Sequence, residues 1–155
     1  MTMPISLLSF RHLPKVMDIE QRAYPWPWTE GMFVDSLRNG HLCYCIHDHD
    51  TLLGYIILFV AAGESHVLNV CVDPDQQGRG LGRRLLEHGL AAAKDLGAEA
   101  AFLEVRVSNE AAIRLYERNG FLRVGRRKQY YPAGDTREDA LVYRRDLGVV
   151  GSGSK

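Results

Sequence analysis

The chain has no surplus of either charge: 19 Lys and Arg face 19 Asp and Glu over 155 residues. A broad nucleic-acid footprint needs clustered excess positive charge, so direct contact with nucleic acid is not expected. Apolar runs long enough to span a bilayer are missing, and so is the charged-then-apolar start of a signal peptide; no membrane partner is expected. Cysteine is scarce and odd in number (Cys43, Cys45, Cys71), with no Cys-x-x-Cys spacing to suggest zinc or redox chemistry. The expectation is a reduced cytoplasmic protein without a metal. Internal repeats are also lacking. The length suits one domain, placed at 1–148, followed by a flexible tail or cloning remnant at 149–155 that ends Gly151-Ser152-Gly153-Ser154-Lys155.

What is present centres on one stretch. Asn69-Val70-Cys71-Val72 is a short apolar run closed by Asp73-Pro74, the pattern of a buried strand. A glycine-rich segment follows, Gln77-Gly78-Arg79-Gly80-Leu81-Gly82-Arg83. Then Leu85, Leu86, Gly89, Leu90, Ala93 and Leu96 recur at helical spacing up to Gly97, where a helix should stop. Strand, glycine loop and helix in that order make an anion site. The first helical N–H groups lack internal partners, and glycine lets a phosphate approach them. Arg79, Arg83 and Arg84 add charge. A plain strand-to-helix turn needs fewer glycines than this. The loop has no Gly-Lys followed by Ser or Thr, which excludes a P-loop; Arg83 stands where the sixth-position glycine of a dinucleotide fingerprint belongs.

The rest of the chain reads as alternating helices and strands. Ser6 to Phe10 is a short opening strand. A helix runs over Pro14 to Ala23, broken by Tyr24-Pro25-Trp26-Pro27-Trp28, and Thr29 caps a second helix through Leu37. Leu42 to Ile46 and Leu52 to Val60 form a hairpin around His47-Asp48-His49-Asp50, a tract read as a solvated turn rather than a metal site. Cys43 and Cys45 share one strand face and read as small core or edge residues. His66 to Val72 and Ala100 to Val107 are strands, Asn109 caps a helix over Glu110 to Asn119, and Phe121 to Gly125 and Ala140 to Arg145 close the sheet. Arg126 to Glu138 reads as a long polar connection. Glu104 is one acid in the apolar run Phe102-Leu103-Glu104-Val105. It is either a strand-end partner for Arg106 or a general base whose proton affinity partial burial would raise. Tyr116 is either a core tyrosine or a proton donor.

Gln77-x-x-Gly80-x-Gly82 resembles the acetyl-coenzyme A signature of the GNAT N-acetyltransferases. Further segments are similar to the RimI family of bacterial ribosomal-protein alanine N-acetyltransferases: Asp18-Ile19-Glu20-Gln21-Arg22-Ala23, Pro27-Trp28, Asn69 to Pro74, Leu103 to Asn109, Leu115-Tyr116-Glu117, Tyr130-Tyr131-Pro132 and Arg137-Glu138-Asp139-Ala140. They run in the expected order from about Asp18 to Tyr143. The resemblance implies an α/β GNAT fold: a mixed, twisted sheet flanked by helices, with acetyl-CoA at its splayed centre. It implies that Glu104 accepts the proton and Tyr116 donates one. Val70, Cys71 and Val72 would pair with the pantetheine arm. Gln77, Gly78, Arg79, Gly80, Leu81, Gly82 and Arg83 would hold the pyrophosphate, and Asn109 would also touch the cofactor.

The acceptor implied is the N-terminal alanine of small-subunit ribosomal protein eighteen. A basic peptide would be met by Glu20, Glu138 and Asp139 and walled by Tyr24, Trp26, Tyr130 and Tyr131, in a monomer or weak dimer. Two positions depart from the family pattern. Gly78 adds a glycine to the loop. Cys71 stands where a small inert residue is common; it is expected to pack as a small hydrophobe rather than form an acyl-enzyme. Rival readings are acetyl transfer to a lysine or small-molecule amine, and a coenzyme-binding sensor without turnover.

Overall fold

The computed structural model describes residues 3–148; the expected tail at 149–155 lies outside the described residues. In chain order the elements are β1 (Ile5–Leu7), a 3₁₀ turn (Phe10–His12), α1 (Leu13–Ala23), α2 (Glu30–Arg38), β2 (Leu42–Asp48), β3 (Thr51–Ala61), β4 (Glu64–Val72), a second 3₁₀ turn (Pro74–Gln76), α3 (Leu81–Asp95), β5 (Ala100–Arg106), α4 (Glu110–Arg118), β6 (Leu122–Ala133) and β7 (Thr136–Asp146). The strands form one seven-stranded sheet in the order β1-β2-β3-β4-β5-β7-β6. Every pair is antiparallel except β4 with β5. The mixed, helix-flanked sheet expected from the resemblance is the sheet found.

β3 shows why both faces are covered. Its run Leu52 to Leu58 is apolar without alternation, the pattern of a strand buried on two sides. Tyr55 and Ile57 pack with Val16, Ile19 and Phe33 of α1 and α2. Ile56 and Leu58 pack with Leu81, Leu85, Leu86 and Leu90 of α3. The buried stripe of α3 recurs at helical spacing through Ala93. Gly89 lets that helix lie close on the sheet: a Cβ there would stand 3.0 Å from Ile56 Cδ1 and Leu58 Cδ2. Both caps read from sequence are present, with Thr29 Oγ1 accepting from Met32 N and Asn109 Oδ1 from Ala112 N.

Two elements differ from the sequence reading. The opening strand is only Ile5–Leu7, because Ser9 and His12 close a 3₁₀ turn that claims Phe10. The polar connection expected over Arg126 to Glu138 is two strands, β6 running to Ala133 and β7 starting at Thr136. Most of β6 is exposed, so its polar residues show no burial alternation to mark a strand. Its pairing with β7 slips between Arg127 and Tyr131, where Gln129 takes a left-handed φ of 50°.

One departure from regular pairing positions the site. β4 and β5 are in register only over Glu64–Val67 against Ala100–Leu103. Beyond Val67 and Leu103 they separate. β4 also carries an irregularity against β3, where Ile57 pairs Asn69 and Leu58 pairs Val67, leaving Leu68 as the extra residue. The edge of β4 from Leu68 to Val72 therefore faces a gap rather than a neighbouring strand.

Candidate active site

Two cavities meet in that gap. The first is lined by Val70, Cys71 and Val72 of β4, by the glycine loop and the start of α3, and by Asn109, Ala112 and Leu115 around α4. The second lies on the other side of the β4 edge, under the α1–α2 loop, and holds Glu104, Tyr116, Trp26 and Tyr131. Ala23, Tyr24, Val70 and Asn109 line both.

The glycine loop has the geometry of an anion cradle. Gly78 and Gly80 adopt φ of 82° and 76°, a region L side chains rarely enter, with no atom within 4 Å of where their Cβ atoms would be. Gly80 is the N-cap of α3, so the first free N–H groups of a 15-residue helix open onto this space. Gln77, Gly78, Gly80, Leu81, Gly82 and Arg83 all line it. Arg79 does not; its guanidinium turns to Gln76 and to the sulfur of Met3. Gln77 Nε2 donates to Val72 O at 3.3 Å, tying the loop to the end of β4.

The predicted catalytic pair falls in the second cavity. Tyr116 is 6 % exposed, and among the described residues no hydrogen bond engages its hydroxyl. Burial pushes its pKa up, with Tyr131 and Cys71 adding to the effect, so the phenol keeps its proton throughout the neutral range. Glu104 stands on the half-exposed face of β5, opposite Leu103 and Val105. Its carboxylate is paired with Arg127 of β6. Arg127 in turn lies over the Tyr130 ring, 5.5 Å from its centroid. A hydrogen bond to Glu104 raises the Tyr130 pKa. Sequence reasoning missed Arg127 because the segment carrying it read as a polar connection.

The three acids expected to meet a basic peptide all have partners within the chain. Glu20 is 1 % exposed and accepts from Tyr55 Oη at 2.6 Å, Asn69 Nδ2 at 3.2 Å and Trp28 N at 2.9 Å. Glu138 accepts from Arg106 at 2.9 Å and from the Ser108 hydroxyl; Asp139 accepts from Arg126 and from Gln129 N. The Arg106 guanidinium also lies 5.3 Å from the Trp26 ring and 4.6 Å from the Tyr131 ring. Arg106, offered by the sequence as a partner for Glu104, pairs with Glu138 instead and is a pillar joining the α1–α2 loop to the β6–β7 hairpin. Of the predicted walls, Tyr24, Trp26 and Tyr131 line the second cavity, and Tyr130 sits beside it against Tyr131. The Tyr24 hydroxyl donates to Val70 O at 2.7 Å, fixing the peptide at the junction of the two cavities.

Cys71 is buried among Tyr24, Tyr55 and Glu20, and burial is the largest cause raising its thiol pKa to about 12. At pH 7 only about one thiol in 10⁵ would be ionised. A thioester held nearby should therefore not acylate it. Mass spectrometry of the protein after incubation with acetyl-CoA is expected to find no acetyl group on the Cys71 peptide; a stoichiometric adduct would reverse this assignment.

The acetyltransferase (GNAT) family matches this chain over residues 13–121. The ribosomal protein bS18-alanine N-acetyltransferase of Escherichia coli K12 is 41% identical over 138 residues, which cover 89% of this chain and 93% of that protein. The enzyme of that name from Haemophilus influenzae is 32% identical over 139 residues, covering 89% and 94%. The crystal structure of the ribosomal-protein-S18-alanine N-acetyltransferase from Escherichia coli superposes with a TM-score of 0.87 at 37% identity, covering 99% of each chain.

Proposed function

The chain belongs to the GNAT acetyltransferase family, on its ribosomal-protein alanine N-acetyltransferase branch, and from that membership we propose that it moves the acetyl group of acetyl-CoA onto the N-terminal alanine of ribosomal protein bS18. The observation that carries this reading is the meeting of the two cavities at Tyr24, Val70 and Asn109. A diphosphate on the α3 amides and an amine beside Glu104 then approach each other through the gap between β4 and β5.

In this reading the coenzyme supplies an activated acyl group on a thiolate leaving group. The Gly78–Arg83 backbone binds its pyrophosphate, and the edge of β4 that no strand pairs takes its pantetheine arm. Asn109 keeps its capping bond to Ala112 and lines the channel beside them. Glu104, directly or through water, takes the proton from the incoming α-ammonium. The amine attacks the carbonyl carbon, and the N–H of Val70, on the edge of β4 that faces the gap, receives the developing oxyanion. Tyr116 donates its hydrogen bond to the departing thiolate. Burial keeps the phenol protonated, so a donor stands ready as the C–S bond breaks; the proton passed to the sulfur is made good by the one the acylated nitrogen sheds, and the proton on Glu104 returns to solvent.

Proton affinity favours an α-amine acceptor. With an ordinary pKa near 8 about a tenth of α-amines are neutral at pH 7, against about one lysine in 2,500. That difference is about 3 kcal/mol of available nucleophile. The aromatic walls, and the internal pairing of Glu20, Glu138 and Asp139, point to a groove that reads shape around the terminus more than the charge that follows it. No helix among the described residues is long and apolar enough to cross a membrane, and a ribosomal acceptor places the reaction in the cytoplasm.

The test mixes the protein with acetyl-CoA and follows free thiol. Release is expected with a peptide that begins Ala-Arg, and not with an N-blocked peptide that contains lysine. Release with the blocked peptide selects a lysine acetyltransferase. Coenzyme binding without release under either condition selects a sensor.

A further inference from the structure

A second cluster of reactive side chains lies at one edge of the sheet, where β1, β2 and the first 3₁₀ turn meet. Cys45 and His47 stand two residues apart on β2, so they project from the same face. The 3₁₀ turn Phe10–His12 brings His12 over them, with the two imidazole rings 5.5 Å apart and tilted by 49°. One ligand atom from each of His12, Cys45 and His47 lies within 4.8 Å of the other two. The tightest pair is Cys45 Sγ and His47 Nε2 at 3.1 Å.

We infer that His12, Cys45 and His47 form a binding site for a borderline-soft divalent cation of the zinc type. Zinc binds one thiolate at about 2.3 Å and imidazole nitrogens at about 2.0–2.1 Å in a tetrahedron, which sets ligand atoms about 3.3–3.6 Å apart. The observed cluster needs only a small closure to reach that spacing. Two nitrogens and one sulfur are also a donor set that selects zinc over the oxygen-seeking cations. The fourth position falls to water or to the Ser6 hydroxyl, whose oxygen is 3.1 Å from His47 Nε2 and 3.7 Å from Cys45 Sγ.

The surroundings supply an entrance and an outer support. The cleft formed by Arg11, His12, Lys15, His47, His49 and Asp50 reaches solvent, while Cys45 itself is buried. A free thiol keeps its proton at neutral pH, so Cys45 must lose S–H to ligate. His12 Nδ1 accepts from Ser9 N at 2.9 Å and lies 3.3 Å from Ser9 Oγ. An ion on Nε2 would displace the proton of that nitrogen to Nδ1, which would then donate to the Ser9 hydroxyl in place of accepting from Ser9 N. Binding breaks the Cys45 S–H bond, forms the metal–sulfur bond and releases one proton to solvent.

The site lies apart from Glu104 and shares no residue with either active-site cavity, so its loading can be read without activity. Tag-free, chelator-treated protein is titrated with Zn(II) alone and, separately, with Co(II) alone. The expected result is one equivalent of Zn(II) bound with release of one proton per ion. Co(II) should give a thiolate-to-metal charge-transfer band, and bound Zn(II) should protect Cys45 from alkylation. Cys45→Ser should abolish the band, and His47→Gln and His12→Gln should each weaken Zn(II) binding at least about a hundredfold. His47 and His12 are part-exposed, so these two variants test the site even if the buried Cys45→Ser fails to fold. Co(II) binding without a thiolate band, or binding weakened less than about tenfold in both histidine variants, overturns the inference and leaves a hydrogen-bonded Cys–His–Ser corner.

Discussion

Glu104→Gln is expected to lower kcat by about 10²–10⁴-fold, the usual contribution of a positioned general base. The coenzyme Kd should stay within about twofold, because Glu104 does not line the cavity formed by the glycine loop. Glutamine keeps the size of the side chain and can still accept a hydrogen bond, but it cannot take the ammonium proton. The residual rate should therefore climb with pH as the acceptor amine loses its own proton, and the gap to the parent enzyme should narrow. Stability is expected to change by less than about 1 kcal/mol, since the Arg127 pair that is lost is solvent-accessible on both sides. Steady-state kinetics from pH 6 to 9 and a denaturant titration check these points. Unchanged kcat would remove Glu104 from the chemistry.

The second large effect is on stability. Glu20→Ala is expected to destabilise the fold by about 3–5 kcal/mol, measured by urea denaturation, because one substitution strands three donors around a buried carboxylate. The Tyr55 hydroxyl and the Asn69 amide are inside, on β3 and β4, and Trp28 N opens the segment leading into α2. Glu20→Gln keeps an acceptor for Tyr55 and should cost less, about 1–3 kcal/mol. Asn69 directly precedes Val70, so the Ala variant should also loosen coenzyme binding. Equal stabilities for parent and Ala variant would mean that water replaces the carboxylate without cost.

Those two acids show what the sequence made legible. Glu104 interrupts an apolar strand, and the alternation of buried Leu103 and Val105 puts it on the opposite face, so its placement could be read from period alone. The strand, loop and helix from Asn69 to Asp95 were legible because glycines at Gly78 and Gly80 mark backbone that other residues rarely adopt. Glu20, expected to meet a basic peptide, sits on the apolar face of α1 one turn after Val16 and beside Ile19. An acid on that face signals internal donors, and those donors come from β3, β4 and the α1–α2 loop, remote in sequence. Arg127 gave no signal of its own. It lies in an exposed ribbon, and its partnership with Glu104 depends on β6 pairing with β7, which in turn pairs with β5, and no local pattern encodes that. His47 was absorbed into a turn. Only the fold shows that the turn is His49-Asp50 and that His47 belongs to the strand, facing Cys45 and His12.

The short seam between β4 and β5 has a mechanical consequence. Four rungs fasten two slabs of sheet at one end, like a clothes-peg sprung at its back. In the proposed reading a pantetheine arm paired with β4 would supply rungs that the polypeptide leaves out, so the loaded protein would hold a longer ladder than the free one. The reactant would then also be a temporary beam, and the spent coenzyme would depart only when those rungs let go.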